Sequence, residues 1–108
     1  MILIPVAMKV TALMSADHVE IHAIFHGNVQ GVGFRATAQA LAQATRLTGT
    51  VSNQTGGSVE LFAVGSKEEL ERFIESIKKR FHPSTITRVD ISYTRPSKDY
   101  SGFSVLRP

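Results

Sequence analysis

From Val19 the side chains alternate: Val19, Ile21, Ala23 and Phe25 fall on one face, Glu20, His22, Ile24 and His26 on the other. That period of two is the mark of a half-buried strand over His18 to His26. After a Gly-containing loop the period changes. Phe34, Ala38, Leu41, Ala42 and Thr45 recur at helical spacing, and the Ala-rich composition predicts a helix from Phe34 to about Arg46. Leu47 to Asn53 is short, β-branched and closed by the turn cluster Asn53-Gln54-Thr55-Gly56-Gly57, after which Val59, Leu61 and Ala63 alternate with Ser58, Glu60 and Phe62. Two strands around a Gly-rich turn predict a hairpin. Ser66-Lys67-Glu68-Glu69 is a capping-box pattern that opens a second helix with a core stripe of Leu70, Phe73, Ile74 and Ile77. Acidic residues lie in its first turns and Lys78, Lys79 and Arg80 in its last, as the helix dipole favours, and Pro83 marks its exit. Thr87, Val89, Ile91 and Tyr93 alternate with Arg88, Asp90 and Ser92 in a fourth strand; Phe103 and Val105 suit a fifth after the turn-rich stretch Arg95 to Gly102.

The order β-α-β-β-α-β plus a short C-terminal strand predicts an α+β, ferredoxin-like sandwich, an antiparallel sheet with two helices on one face. With 108 residues the chain suits one small domain, placed at 18–108. Residues 1–17 read as a flexible N-terminal extension outside the fold. Met1 to Ala7 is apolar, but no basic residue precedes it, and Pro5 and Lys9 interrupt the stretch. It is too short to span a bilayer and makes a poor signal peptide, so the expected location is cytoplasmic. Met8 and Met14 are alternative starts. With no cysteine, a disulfide framework and a Cys-based zinc site are both excluded. A net charge of +3 favours an anionic partner but falls far short of a polybasic nucleic-acid footprint.

The chemistry concentrates in Val29-Gln30-Gly31-Val32-Gly33-Phe34-Arg35. Gly31 and Gly33 permit backbone conformations and close ligand approach that a side chain would block. The helix that follows begins with unpaired N–H groups and the positive end of its dipole, and both suit an anion. Arg35 adds a planar five-donor fork in the first turn, normally an unfavourable place for a cation. The whole is an oxyanion cradle with phosphate as the leading guest. Gly31-Val32-Gly33-Phe34-Arg35-Ala36 also spells a G-x-G-x-x-A dinucleotide pattern. That fingerprint requires a parallel crossover and an acidic residue about 20 positions on. Asn53-Gln54-Thr55-Gly56 stands there instead, so the pattern is rejected. His22 and His26 could share a metal by spacing, but with no companion carboxylate or cysteine set they read as sheet-surface histidines.

Two segments resemble the acylphosphatases, small enzymes that hydrolyse the carboxyl-phosphate anhydride bond. One is Gly27-Asn28-Val29-Gln30-Gly31-Val32-Gly33-Phe34-Arg35; the other is Gly49-Thr50-Val51-Ser52-Asn53 followed by Gly57-Ser58-Val59-Glu60. The resemblance implies that Arg35 binds the phosphoryl group together with backbone N–H groups of Gln30, Gly31, Val32, Gly33, Phe34 and Arg35. It implies that Asn53 holds the attacking water, and that catalysis is direct, without metal, cofactor or covalent intermediate. It also implies a small acyl phosphate as substrate and inorganic phosphate as product and inhibitor; no nucleic-acid or membrane partner is expected, and since nothing in the sequence resembles a large apolar interface, a monomer is expected. Thr50 stands where the family usually has a large aromatic and Ser52 where a longer, often basic side chain is common, which points to an altered rim or substrate preference. Some members hold the equivalent arginine with a C-terminal carboxylate, which makes Pro108 a candidate anchor. Two alternatives stand beside the free enzyme. One is a ferredoxin-like anion- or RNA-binding module offering His22, His26, Glu60 and Phe62 on its open sheet face. The other is a relative of the acylphosphatase-like domain of hydrogenase-maturation carbamoyltransferases, in which proline commonly follows the arginine; here that residue is Ala36.

Overall fold

The alternation of apolar and polar side chains from residue 18 onward is laid down as five strands and two helices in the computed structural model, which describes residues 18–107. In chain order these are β1 (His18–Gly27), α1 (Phe34–Ala44), β2 (Thr48–Asn53), β3 (Val59–Ser66), α2 (Lys67–Lys79), β4 (Ile86–Thr94) and β5 (Phe103–Leu106). The extension expected at 1–17, its proposed start sites and Pro108 lie outside the described residues. The sheet order is β4-β1-β3-β2-β5. β1 pairs antiparallel with β3 and β4, and β2 antiparallel with β3, but β5 joins β2 in parallel. The sheet is therefore mixed, and its one parallel pair is set by tertiary pairing that strand alternation does not report. Among the described residues no helix is long and apolar enough to cross a membrane.

The core lies between the sheet and the two helices, which pack against one another as well as against the strands. Ile21, Ala23 and Phe25 of β1, Val51 of β2, and Val59, Leu61 and Ala63 of β3 are completely buried there. They meet Phe34, Ala38 and Ala42 of α1 and Leu70, Phe73, Ile74 and Ile77 of α2. Each inward set is the one that alternation or helical spacing selects. Burying apolar surface at about 25 cal/mol per Å² is what holds the layers together. Gly49 marks the tightest approach. A Cβ at this position would lie 1.8 Å from the Phe62 carbonyl oxygen across the β2–β3 pair, so only glycine fits.

Helix α1 stops at Ala44, two residues before the expected Arg46. Arg46 adopts a left-handed φ of 60°, and its N–H bonds to the Gln43 carbonyl while that of Leu47 reaches back to Ala42. This is the Schellman arrangement, with arginine where glycine is usual. Leu47, expected to open β2, is instead the buried apolar residue that follows this cap. Helix α2 begins as its sequence predicts. Ser66 Oγ accepts from the Glu69 N–H at 3.1 Å, and Glu69 Oε1 accepts from the Ser66 N–H at 2.9 Å. The Ser66 N–H draws the Glu69 carboxyl below its ordinary pKa despite partial burial.

β4 and β5 occupy opposite edges, so the segment between them must cross the sheet. It passes over the polar face beside Glu20, the buried charged residue of the described chain, at 3% exposure. The Glu20 carboxylate accepts from the Ser97 N–H at 2.8 Å, the Ser97 hydroxyl at 2.9 Å and the Tyr100 hydroxyl at 2.6 Å. Burial pushes the Glu20 pKa up, but those donors, with the charge of Lys98, bring it below the usual carboxylate value. Burial and the neighbouring carboxylate push the Tyr100 phenol up to about 12. One carboxylate thus straps the crossing segment and sets where β5 starts.

Candidate active site

The loop between β1 and α1 is held at both ends before it reaches the cavity. Val29 is buried, and the Asn28 N–H donates to the Thr85 carbonyl at 2.9 Å. Phe34 plugs the start of α1 into the core, its ring 4.8 Å from that of Phe25 and 5.1 Å from that of Phe81. Between these anchors Gln30 reaches sideways. Its Nε2 donates to the Gln54 and Ser58 carbonyls, each at 2.9 Å, and so ties the loop to the β2–β3 turn. The Gln30 side chain is therefore a brace, and any contact it makes with an anion is left to its backbone.

Gly31 and Gly33 both have φ of +79°, and nothing lies within 4 Å of where their Cβ atoms would be. Their requirement is left-handed backbone together with open space on the cavity side. Gly33 is the N-cap of α1 and offers no side chain to cap it; the first turn contains no acidic residue. The contrast with α2 is direct, because α2 carries both a capping box and Glu68 and Glu69 in its first turn. The N-terminus of α1 is thus electrostatically incomplete, and Arg35 in its first turn adds to the positive charge. An anion supplies what both features lack.

A cavity of about 350 Å³ opens in front of this helix end, lined by Gly31, Gly33, Arg35, Gln39, Asn53 and Arg107, with Val29, Phe34, Ala36 and Val105 as its apolar wall. That volume lies in the range of small-molecule sites. Among the described residues its ionisable lining is arginine alone. Asn53 ends β2, two residues beyond the buried Val51, so its side chain shares the inward face at the strand's end. Its Oδ1 is buried and has no hydrogen-bond partner. Buried polar atoms are nearly always paired, so an orphan on a residue that lines a cavity draws attention to that residue as one able to accept from a guest after a small shift of its side chain.

The residues singled out by sequence are thus brought together: Arg35, Gly31, Gly33 and Asn53 share one cavity, Phe34 forms its floor, and exposed Val32 stands at the loop tip. Gln39, Val105 and Arg107 are additions. Gln39 follows Arg35 by four positions and so shares its helix face, a signal present in the sequence. Its Nε2 donates to the Phe103 carbonyl at 3.1 Å and pins the start of β5. Arg107 arrives only through the parallel β2–β5 pairing, and no local pattern announces it. Thr50 and Ser52, expected at the rim, alternate away from Val51 and Asn53 onto the polar face. There Thr50 stands opposite Phe62, and Ser52 opposite Glu60, and neither lines the cavity.

The polar sheet face is engaged with itself. His22 Nε2 lies 2.7 Å from Glu60 Oε2, and its ring stacks on Phe62 at 4.3 Å with the planes within 2°. His26 pairs with Asp90 at 2.9 Å, and Arg88 also reaches Asp90. Arg88 and then His26 hold the Asp90 carboxyl below its ordinary pKa. His22 and His26 each face a different carboxylate, and no group of three or more metal-ligating side chains gathers among the described residues.

Comparison with known proteins agrees with this geometry. The acylphosphatase family model matches residues 21–105. The acylphosphatase of Latilactobacillus sakei is 46% identical over 83 residues, covering 74% of this chain and 88% of the relative. That of Mycolicibacterium smegmatis is 36% identical over 88 residues, 82% of this chain and 90% of the relative. The crystal structure of acylphosphatase from Bacillus subtilis superposes with a TM-score of 0.75 at 33% identity, covering 82% of this chain and 98% of that one. A family model spanning most of the chain, relatives above 30% identity and a shared fold lead to one conclusion: the chain belongs to the acylphosphatase family.

Proposed function

We propose that the protein hydrolyses acyl phosphates to a carboxylate and inorganic phosphate by direct attack of water. One observation carries the mechanism: Arg35, in the first turn of an uncapped helix, shares its cavity with Asn53, whose Oδ1 is buried and has no partner. The phosphoryl group sits at the N-terminus of α1, its equatorial oxygens held by the Arg35 guanidinium and by backbone N–H groups of the loop from Gln30 to Arg35. Charge spread over those oxygens in the transition state is stabilised by donors already in place, and positioning and electrostatics do most of the work in phosphoryl transfer.

Asn53 Oδ1 accepts a hydrogen bond from the water and points its oxygen at phosphorus. An amide cannot take the proton, so it passes to a phosphoryl oxygen of the substrate. The new P–O bond forms as the bond to the acyl oxygen breaks, and the carboxylate departs with the electron pair. Carboxylate is a good leaving group, so no strong general acid is required. The cavity's cationic charge comes from arginine, and among the described residues its lining holds no carboxylate, imidazole or thiol to fix a divalent ion.

The self-paired polar face, with Phe62 stacked on His22, argues against the RNA-binding alternative. Hydrolysis of benzoyl phosphate at neutral pH with a chelator present tests the proposal. Turnover should survive chelation and fall at least about a hundredfold in Arg35→Ala, which loses charged hydrogen bonds worth about 1.5–3 kcal/mol each. A folded protein with no turnover, or an Arg35→Ala variant with near-normal turnover, overturns it.

A further inference from the structure

The phosphoryl site accounts for one of the cavity's two arginines and leaves the other without a role. Arg107 lines the same cavity as Arg35, yet it comes from the opposite side: Arg35 from the first turn of α1, Arg107 from the end of β5. Its place follows from the strand pairing. β5 runs parallel to β2 with Val105 beside Val51 and Leu106 beside Ser52, and Arg107, the residue just past the strand, lines the same cavity as Asn53. Val51 and Val105 are partners on the inward face, and two steps on Asn53 and Arg107 share it. Apolar Val105 and Ala36 line the same cavity.

A phosphoryl dianion at the helix end is already met by Arg35, the loop N–H groups and the helix dipole. Arg107, itself exposed, brings a further full positive charge to the mouth of a cavity whose lining offers no acid among the described residues. A guanidinium there is best matched by a second anion on the same guest, because its fork fits a carboxylate with two parallel hydrogen bonds.

We propose that Arg107 determines specificity by binding a carboxylate on the acyl part of the substrate, so that the site favours monoacyl phosphates of dicarboxylic acids over those with uncharged acyl groups. This rests on the hydrolase reading above for its orientation, with the phosphoryl group at Arg35 and the acyl chain running past Asn53 toward β5.

The test is a binding measurement that needs no turnover. Phosphonopropionate and phosphonobutyrate, whose C–P bonds are not hydrolysed, are titrated into the intact chain by calorimetry beside propylphosphonate and butylphosphonate. The carboxylate should tighten binding by about tenfold. Arg107→Ala should abolish that increment, and Arg107→Lys should keep part of it. No carboxylate increment in the intact chain overturns the proposal. So does an equal loss of affinity for both ligand types in Arg107→Ala, which would place Arg107 on the phosphoryl group, and so does a failure of any phosphonate to bind. Benzoyl phosphate hydrolysis on the same preparation separates the two readings. Turnover without a carboxylate increment sinks only the role of Arg107, whereas an increment without turnover sinks only the hydrolase.

Discussion

Replacing Asn53 by alanine separates a catalytic residue from a structural one, because the structure predicts opposite signs for stability and for rate. Asn53 Oδ1 is buried with no hydrogen-bond partner in the folded chain. A buried polar atom left in that condition costs about 1–3 kcal/mol of desolvation relative to water. Alanine removes the atom and its penalty. Against this stands the packing lost with a short side chain at a strand end, worth a few tenths of a kcal/mol to about 1 kcal/mol. The balance is a variant as stable as the parent or more stable by up to about 1 kcal/mol. Turnover moves the other way. A preorganised polar group acting on the reacting atoms is worth on the order of a hundredfold in rate. Inorganic phosphate, held by Arg35 and the loop, should still inhibit within about threefold of the parent constant, since roughly 0.65 kcal/mol corresponds to that factor.

Urea unfolding, benzoyl phosphate progress curves and phosphate inhibition on one preparation supply all three readouts. Lower stability by more than about 1 kcal/mol with turnover preserved would show that Asn53 serves the fold and would refute the water site. Asn53→Asp sharpens the test. A carboxylate of nearly the same shape sets a negative charge beside the phosphoryl group, so phosphate affinity should fall in this variant while it stays in alanine.

Four further outcomes follow from the same geometry. Arg35→Lys should recover little of the activity lost in Arg35→Ala, because a point charge cannot reproduce the fork; full rescue in steady-state assays would reduce the role to bulk charge. Gln30→Glu should damage kcat/KM more than Gln30→Ala, since its carboxylate would face the Gln54 and Ser58 carbonyls where Nε2 now donates; the reverse order would show that the brace is dispensable. Arg46→Gly should raise the urea midpoint by the equivalent of about 0.5–1 kcal/mol, the left-handed strain relieved less the added freedom of the unfolded chain. The Glu20 strap should give a two-sided pH profile of stability. Glu20 is depressed, so its contribution is present above the unfolded value near 4.5 and disappears as pH falls through the lower folded pKa. Tyr100 is raised, so its contribution is full below the unfolded value of 10 and disappears as pH climbs to about 12. Glu20→Gln should flatten the acid limb, and an unchanged limb would assign acid unfolding to other carboxylates.

What could be read from the residues depended on whether the signal was local. The inward faces of β1 and β3, the capping box at Ser66 and the cradle of Gly31, Gly33 and Arg35 each rest on a few neighbouring positions, and each appears where its pattern places it. The end of α1 did not follow its stripe, because Thr45 and Arg46 are turned out by the cap that buries Leu47. Glu20 has the alternation of a solvent-facing residue and is buried all the same, because a segment nearly eighty positions later in the chain closes over it. Thr50 and Ser52 lie beside motif residues in the sequence and yet face away from the cavity, since the strand period is two. The parallel pairing of β5 is the largest gap. It is a contact between distant strands, and it carries Arg107 to the cavity that Asn53 lines.

That gap bears on how the site is built. The anion cradle is local to one loop and one helix end and would be recognisable in a fragment. The other groups assigned to the site by our proposals come from elsewhere: Asn53 from the end of β2 and Arg107 from just past β5, with Gln39 holding the Phe103 carbonyl. The segment that Glu20 anchors leads directly to β5, so the strap is expected to help place Arg107. Loosening the strap should therefore leave phosphate binding at Arg35 largely intact while it weakens whatever is read at Arg107. In Glu20→Gln the advantage of phosphonobutyrate over butylphosphonate should shrink at a urea concentration where inorganic phosphate still binds. An advantage that persists until global unfolding would show that β5 is held by its pairing with β2 alone, and that the carboxylate strap has no part in specificity.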